Sequence, residues 1–122
     1  MNGTDFLADT NAVIYLLSGN NCMKPYLQKT LAVSVISFME LLSFPGITGD
    51  EEKLIRQFLS MRKIIQIDKD VMEKTIQLRR GYKIKLPDAI IAATALIHEI
   101  PLISADTGFC KIENLQIEQI KP

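Results

Sequence analysis

The chain has 122 residues, of which 48% are hydrophobic and 23% charged, a balance that excludes a disordered chain and fits one globular domain over residues 1–122. The 14 basic and 14 acidic side chains give a formal net charge of zero, so the chain as a whole lacks the basic excess that is typical of nucleic-acid-binding proteins. No run approaches the roughly 18 apolar residues that a membrane span requires.

The two cysteines, Cys22 and Cys110, stand outside the CxxC and Cys/His spacings that are typical of zinc sites. The segment from Met1 to Asp5 lacks a basic region followed by an apolar run, so we expect no signal peptide. We therefore predict a cytoplasmic protein in which both cysteines are reduced thiols.

Short apolar runs alternate with helical patterns in the first half of the chain. The predicted elements are, in chain order, a strand over Asp5–Ala8, a helix from Ala12 to Leu17, a short helix around Met23–Gln28, a strand over Leu31–Val35 and a helix over Phe38–Leu42. Gly19 is predicted to end the first helix. Pro45-Gly46 is predicted to end the helix over Phe38–Leu42.

The second half continues the same alternation. The predicted elements are an amphipathic helix over Asp50–Met61, a strand over Ile64–Ile67, a helix from Asp70 to about Arg80, a helix that Pro87-Asp88 opens and that runs over Ala89–His98, a strand reached through Pro101–Ser104, and a strand over Leu115–Ile120. Asp70 is the predicted cap of its helix. The helix over Ala89–His98 is apolar nearly all round, which places it in the interior. The alternation predicts an α/β fold with a largely parallel sheet.

The inward faces of two helices can also be predicted. In the helix over Asp50–Met61 they are Leu54, Ile55, Phe58 and Leu59; in the helix from Asp70 they are mostly Val71, Met72, Thr75, Ile76 and Leu78.

Four carboxylates are predicted to lie at the same edge of the sheet in such a fold. Asp9 directly follows the first strand, and two residues separate Asp106 from the apolar pair Leu102-Ile103. Asp88 begins the interior helix, and Glu40 lies in the helix after the second strand. Because strand ends and the starts of the following helices converge at one edge of a parallel sheet, we expect these acids to meet. Crowded carboxylates repel one another unless they are protonated or neutralised by a cation, and an all-oxygen set favours Mg²⁺ or Mn²⁺.

Each acid also has a purely structural interpretation. Asp9 could cap the first helix, Asp88 could serve only the helix dipole, and Asp106 could be a turn residue. Glu40 could reach solvent or pair with a lysine, although its apolar neighbours in sequence suggest apolar surroundings. His98, the lone histidine, is expected to be a cation at a helix C-terminus and not a general base.

A basic cluster precedes Asp88, and its role stays open between a solvated helix end and RNA binding. Its members are Arg79, Arg80, Lys83 and Lys85.

Four segments resemble, in order and at family-like spacing, the motifs of the PIN-domain family. They are Leu7-Ala8-Asp9-Thr10-Asn11, Ser37-Phe38-Met39-Glu40-Leu41, Leu86-Pro87-Asp88-Ala89-Ile90-Ile91-Ala92-Ala93-Thr94-Ala95 and Leu102-Ile103-Ser104-Ala105-Asp106. The short single-domain form is similar to the VapC-type toxins of toxin–antitoxin pairs. The departures are Ser104, where the family often has Thr, and Ala105, where it commonly has a basic residue.

The resemblance implies a three-layer α/β/α sandwich around a central, mainly parallel sheet. It also implies an endoribonuclease that depends on Mg²⁺ or Mn²⁺, forms homodimers, and is inhibited by a small antitoxin whose C-terminal tail enters the cleft. Asp9, Asp88 and Asp106 would bind one metal ion, while Glu40 would complete a second site or orient the attacking water. Three polar neighbours either orient these carboxylates or only cap the local backbone: Thr10, Asn11 and Ser104.

Three rival interpretations remain. A phosphoacceptor receiver domain usually has two adjacent acids after its first strand, whereas this chain has only Asp9 there. A catalytically silent PIN domain would not need all four acids. A PIN-domain nuclease that processes RNA without a toxin role is barely separable by sequence.

Overall fold

The computed structural model describes residues 3–122. Met1 and Asn2, which belong to the segment behind the signal-peptide expectation, lie outside the described residues.

A five-stranded sheet forms the centre of the molecule. The strands are β1 (Phe6–Ala8), β2 (Leu31–Ser34), β3 (Lys63–Ile65), β4 (Leu102–Ser104) and β5 (Ile117–Gln119). They lie in the order β3-β2-β1-β4-β5, and every neighbouring pair is parallel. The predicted parallel sheet is thus confirmed, and β1 lies at its centre.

Five α-helices cover the sheet. They are α1 (Thr10–Leu17), α2 (Val35–Leu42), α3 (Gly49–Ser60), α4 (Lys69–Gly81) and α5 (Leu86–His98). Two short 3₁₀ helices, Asn21–Tyr26 and Thr107–Lys111, follow α1 and β4. The short helix predicted around Met23–Gln28 is therefore present, but it is a 3₁₀ helix that begins earlier. Gly19 follows α1 with φ +76°, a left-handed conformation that glycine adopts without strain.

Successive strand residues point to opposite faces of the sheet and build two separate cores. Leu7 of β1 lies in a cluster with residues of α4 and α5, whereas its neighbour Ala8 lies in a cluster with residues of α1 and α3. The α5 segment Ala89–Ala95 is entirely buried, as its apolar pattern predicts. These two clusters confirm the three-layer α/β/α sandwich.

The helix α4 corrects two predictions. Its cap is Asp68, whose Oδ1 accepts a hydrogen bond of 2.9 Å from the backbone N–H of Val71; Asp70 already lies inside the first turn. The inward stripe is Val71, Thr75 and Leu78, and the predictions for Met72 and Ile76 were wrong because both are exposed. A stripe at positions i, i+4 and i+7 leaves their positions facing outward.

The helix α3 differs from its predicted face in one residue. Leu54 is 48% exposed, while Ile55, Phe58 and Leu59 are buried. None of the helices described over residues 3–122 is long and apolar enough to cross a membrane. Cys22 and Cys110 are not joined by a disulfide bond.

Candidate active site

The four predicted acids line one cavity of about 170 Å³ at the carboxyl edge of the sheet. Asp9 directly follows β1 and Asp106 lies two residues beyond β4. Glu40 comes from α2, and Asp88 from the first turn of α5. Thr10 and Asn11 line the same cavity; the third predicted neighbour, Ser104, lies directly behind it at the buried end of β4.

Asp9 is the buried acid of the cavity. Its Oδ1 accepts a hydrogen bond of 2.8 Å from the backbone N–H of Ala12, so it caps α1. Burial raises the pKa of Asp9, and the charges of Asp88 and Asp106 raise it further. Hydrogen bonds from the nearby Ser104 hydroxyl and from Ala12 lower the pKa in part. The structural and functional interpretations of Asp9 therefore coexist, since a capped carboxylate still repels its acidic neighbours.

Asp88 is half-buried in the first turn of α5, and its pKa is also raised. Burial is the main cause, followed by the charges of Asp106 and Glu40, while the charge of Lys85 lowers the pKa. The side chain of Lys85, which precedes the helix, makes no capping hydrogen bond. The dipole of α5 favours a negative charge in its first turn, but burial and, after it, the neighbouring acids still raise the pKa of Asp88.

Asp106 is exposed and held by the loop that follows β4. Its Oδ1 accepts a hydrogen bond of 2.8 Å from Gly108, and its own N–H donates one of 3.0 Å to Oγ of Ser104. A Cβ at Gly108 would lie only 3.0 Å from Oδ1 of Asp106. Ser104 and Gly108 therefore determine where this carboxylate points.

Glu40 is held by a chain of hydroxyl groups between α1 and α2. Oγ1 of Thr10 lies 2.6 Å from Oε1 of Glu40 and 2.8 Å from Oγ of Ser37. A hydroxyl has one proton, and a carboxylate only accepts. Thr10 therefore donates to Glu40 and accepts from Ser37. Ser37 is fully buried, which anchors the chain of hydrogen bonds in the protein interior.

Sequence reasoning did not single out Ser37 as a functional residue. The signal was its position three residues before Glu40, which places both on one side of a helix. The expectation for Glu40 was only half right. Glu40 is exposed and hydrogen-bonded to Thr10, yet it also borders an apolar groove of about 450 Å³. The groove lies between α1, α2 and α3 and is lined mainly by Ile14, Leu17, Leu41, Phe44 and Leu54.

The three polar neighbours, Thr10, Asn11 and Ser104, differ in what they contact. Thr10 orients Glu40, because Asp9 and not Thr10 caps α1. Ser104 does both, since it holds the backbone of Asp106 and affects the pKa of Asp9. Asn11 is exposed at the rim of the cavity.

The four carboxylates have the chemistry that suits a hard divalent cation, but their positions do not form a coordination site. Within residues 3–122, no three or more acidic, histidine or cysteine side chains stand in an arrangement that would hold a metal ion. Asp9 and Asp106 each accept a backbone N–H, and Glu40 accepts a hydroxyl. Burial and, to a smaller extent, mutual repulsion nevertheless raise the pKa of Asp9 and Asp88, and carboxylate oxygens are the ligands that Mg²⁺ and Mn²⁺ prefer.

Comparison with known families gives one match that covers most of the chain. The family model described as PIN domain matches residues 6–115. A comparison with curated protein sequences finds no significant match.

Solved structures with the same fold come from several bacteria. A toxin–antitoxin complex from Klebsiella pneumoniae contains a chain 38% identical to this one, with a TM-score of 0.79, and the match covers 91% of this chain and 95% of that chain. VapBC2 from Rickettsia felis, bound to a DNA fragment from its promoter, matches with 23% identity and a TM-score of 0.80 over 97% of this chain and 100% of that chain. FitAcB from Neisseria gonorrhoeae matches with 22% identity and a TM-score of 0.73 over 92% and 95%.

Proposed function

Since the chain belongs to the PIN domain family, we propose that it is a metal-dependent endoribonuclease, the toxin of a type II toxin–antitoxin pair. The observation that carries the proposal is the cavity at the carboxyl edge of the sheet, which Asp9, Glu40, Asp88 and Asp106 line together. A purely structural set of caps would not need to converge on one cavity, because each cap satisfies only its own backbone.

Asp9, Asp88 and Asp106 would hold Mg²⁺ or Mn²⁺, with Glu40 beside them. When bound, the ion supplies Lewis-acid polarisation, a lower pKa for water, and neutralisation of developing negative charge. The hydrogen bonds to Asp9 from Ala12 and to Asp106 from Gly108 fix one oxygen of each carboxylate.

Glu40 is the residue best placed to orient the attacking water. Thr10 holds its Oε1, which leaves Oε2 to accept a hydrogen bond from a water molecule at the cavity mouth. The water oxygen forms a new bond to phosphorus while the bond from phosphorus to the 3′ oxygen breaks. The water proton leaves through Glu40 to solvent and the 3′ oxygen takes up a proton, so the products carry a 5′-phosphate and a 3′-hydroxyl.

The apolar groove beside Glu40 supports the toxin role over a nuclease that only processes RNA. It exposes Ile14, Phe44 and Leu54, a concentration of apolar side chains that suits an apolar segment of a partner. The structurally similar Klebsiella chain comes from a toxin–antitoxin complex. A small antitoxin lying in this groove would bring its chain to the rim of the acidic cavity. The proposal includes a homodimer that acts in the cytoplasm.

Cleavage of a single-stranded RNA by the purified protein tests the nuclease activity. We expect cleavage with Mg²⁺ or Mn²⁺ and none with EDTA, and no cleavage by Asp9→Asn or Asp88→Asn. Asp70→Asn is the matched control, because Asp70 is exposed on α4 and does not cap it. Full activity of either cavity variant would overturn the assignment.

A further inference from the structure

A second cavity, of about 220 Å³, adjoins the acidic cavity and shares Asp88, Asp106 and Phe109 with it. Its remaining wall is basic, whereas the acidic cavity has no basic side chain in its lining. The basic residues of the second cavity are Lys83, Lys85 and Lys111. A chain of zero net charge therefore concentrates three cations on one side of its four carboxylates.

The wall that carries these lysines is fixed by two hydrogen bonds between distant segments. Nζ of Lys111 donates to the backbone oxygen of Lys83 over 2.9 Å. The backbone N–H of Glu113 donates to the hydroxyl of Tyr82 over 3.0 Å. These bonds join the connection between α4 and α5 to the segment after β4. A wall that is already ordered lowers the entropic cost of binding a ligand there.

The three lysines of the second cavity form no ion pairs among the described residues. Over residues 3–122 the structure has one ion pair, between Arg56 and Glu52 on α3. Lys85 is close enough to Asp88 to lower its pKa, but the stronger effects of burial and acidic neighbours still raise it. The ammonium groups are thus available to an anion that enters from solvent.

The structure also divides the basic cluster of the sequence into two parts. Arg79 and Arg80 lie exposed in the last turn of α4, where the helix dipole favours positive charges. Lys83 and Lys85 lie beyond the helix, and Lys111, which is distant in sequence, joins them at the cavity. The tertiary fold therefore selects which basic residues face the acids.

We propose that Lys83, Lys85 and Lys111 form a subsite for a backbone phosphate of the RNA next to the phosphate that is cut. The inference rests on the proposed function, because the shared residues Asp88 and Asp106 place the subsite one step along the strand from the acidic cavity. The lysines are positioning residues: they contact the backbone and fix the register of the strand. They do not read bases, so the subsite accepts any sequence.

Binding of a short single-stranded RNA by the Asp9→Asn protein tests the subsite without any cleavage. The substitution keeps an Oδ1 atom for the cap of α1 and removes the charge. The affinity is measured in EDTA over a series of salt concentrations, with and without the triple substitution Lys83→Ala, Lys85→Ala and Lys111→Ala. We expect the triple variant to bind about tenfold or more weakly at low salt. Its salt slope should fall by about 2, since each lost contact to a single strand changes the slope by ~0.7.

The matched control removes three exposed lysines that lie away from the site: Lys29, Lys53 and Lys63. An equal loss in both triple variants, or no change in the salt slope of the first, would overturn the subsite. The latter result would assign the lysines the local role of neutralising Asp88. A single-stranded DNA of the same sequence should lose affinity by the same factor as the RNA, because the contact is to phosphate.

A single-substitution variant and a separate cleavage assay complete the test. Lys111 holds the backbone of Lys83, so Lys85→Ala alone is measured if the triple variant fails to fold, with an expected slope change of about 0.7. Cleavage by the wild-type protein is assayed separately. A wild-type protein that binds RNA through these lysines and never cuts it would refute the nuclease and leave the subsite standing.

Discussion

Thr10 donates a hydrogen bond of 2.6 Å to Oε1 of Glu40, across 30 residues of sequence. This contact joins the first turn of α1 to α2 and fixes one oxygen of an exposed acid of the cavity. The buried Ser37 in turn holds Thr10. The orientation of Glu40 therefore depends on the hydroxyl of Thr10 and, through it, on the buried hydroxyl of Ser37.

Thr10→Val should lower the rate of RNA cleavage by about 10–100-fold, as the loss of residues that orient a metal or catalytic group typically does. The substitution keeps the shape and removes the donor. We expect kcat to fall while KM changes little, because Glu40 acts on the attacking water. Thr10→Ser retains the hydroxyl and should restore most of the rate. Equal rates for the valine and serine variants would refute a positioning role.

Gly108→Ala should displace the carboxylate of Asp106. The new Cβ would lie 3.0 Å from Oδ1 of Asp106, so the side chain must move. The shift needed is a few tenths of an ångström, and since a misplacement of about 1 Å can cost about a hundredfold, we expect a smaller fall in the cleavage rate. Gly81→Ala is the control, since a Cβ there meets nothing within 4 Å. The two variants are compared by cleavage rate and melting temperature; identical rates would contradict the prediction.

The raised pKa of Asp9 predicts how stability depends on pH. The folded protein holds the proton on Asp9 to higher pH than the unfolded chain, whose reference pKa is 3.8. The stability that this proton contributes is complete below the unfolded pKa and is lost as the pH rises through the folded pKa. In EDTA at pH 7.5, Asp9→Asn should therefore melt a few degrees above the wild type, since 1 kcal/mol corresponds to about 3–6 °C in a domain of this size.

The difference between Asp9→Asn and the wild type should disappear near pH 3, where both side chains are uncharged. Thermal unfolding followed by circular dichroism at the two pH values measures it. Asp70→Asn, which changes an exposed acid, should show no comparable gain at pH 7.5. A wild type that is the more stable protein at neutral pH would mean that the cap outweighs burial and repulsion.

Addition of Mn²⁺ should reverse that order of stability. A cation that binds only the folded protein stabilises it by about 2.7 kcal/mol at a concentration 100 times its dissociation constant. The melting temperature of the wild type should rise with Mn²⁺, whereas Asp9→Asn and Asp88→Asn should respond weakly. Samples without Mn²⁺ and samples treated with EDTA serve as references. A rise of the same size in all three proteins would place the binding elsewhere.

Leu54→Arg should abolish inhibition by the small antitoxin that we propose as a partner, while leaving RNA cleavage intact. Leu54 is 48% exposed and lines the apolar groove, and a buried unpaired charge opposes the docking of an apolar segment. Met72→Arg is the matched control, because Met72 is also 48% exposed but lies on α4. Cleavage is measured with and without the antitoxin; loss of inhibition in both variants would contradict a specific groove.

The residue pattern of the sequence by itself predicted the α/β class, the parallel sheet and the edge of the sheet at which the acids lie. Hydrophobic periodicity is local, so it indicates strands and helices, and their alternation requires a parallel sheet. Asp9, Glu40, Asp88 and Asp106 follow from that alternation, because their elements all end or begin at one edge. The same local pattern could not separate Asp68 from Asp70 as the cap of α4, since the two lie within one turn.

Only the tertiary structure decided which neighbours hold the acids and which cations face them. The contact of Thr10 with Glu40 and the contact of Lys111 with Lys83 span 30 and 28 residues. Both depend on where packed elements meet in space, and no local period encodes that. Exposure follows the same rule: Leu54 and Met72 have apolar side chains, but the direction in which each helix packs on the sheet leaves them in solvent.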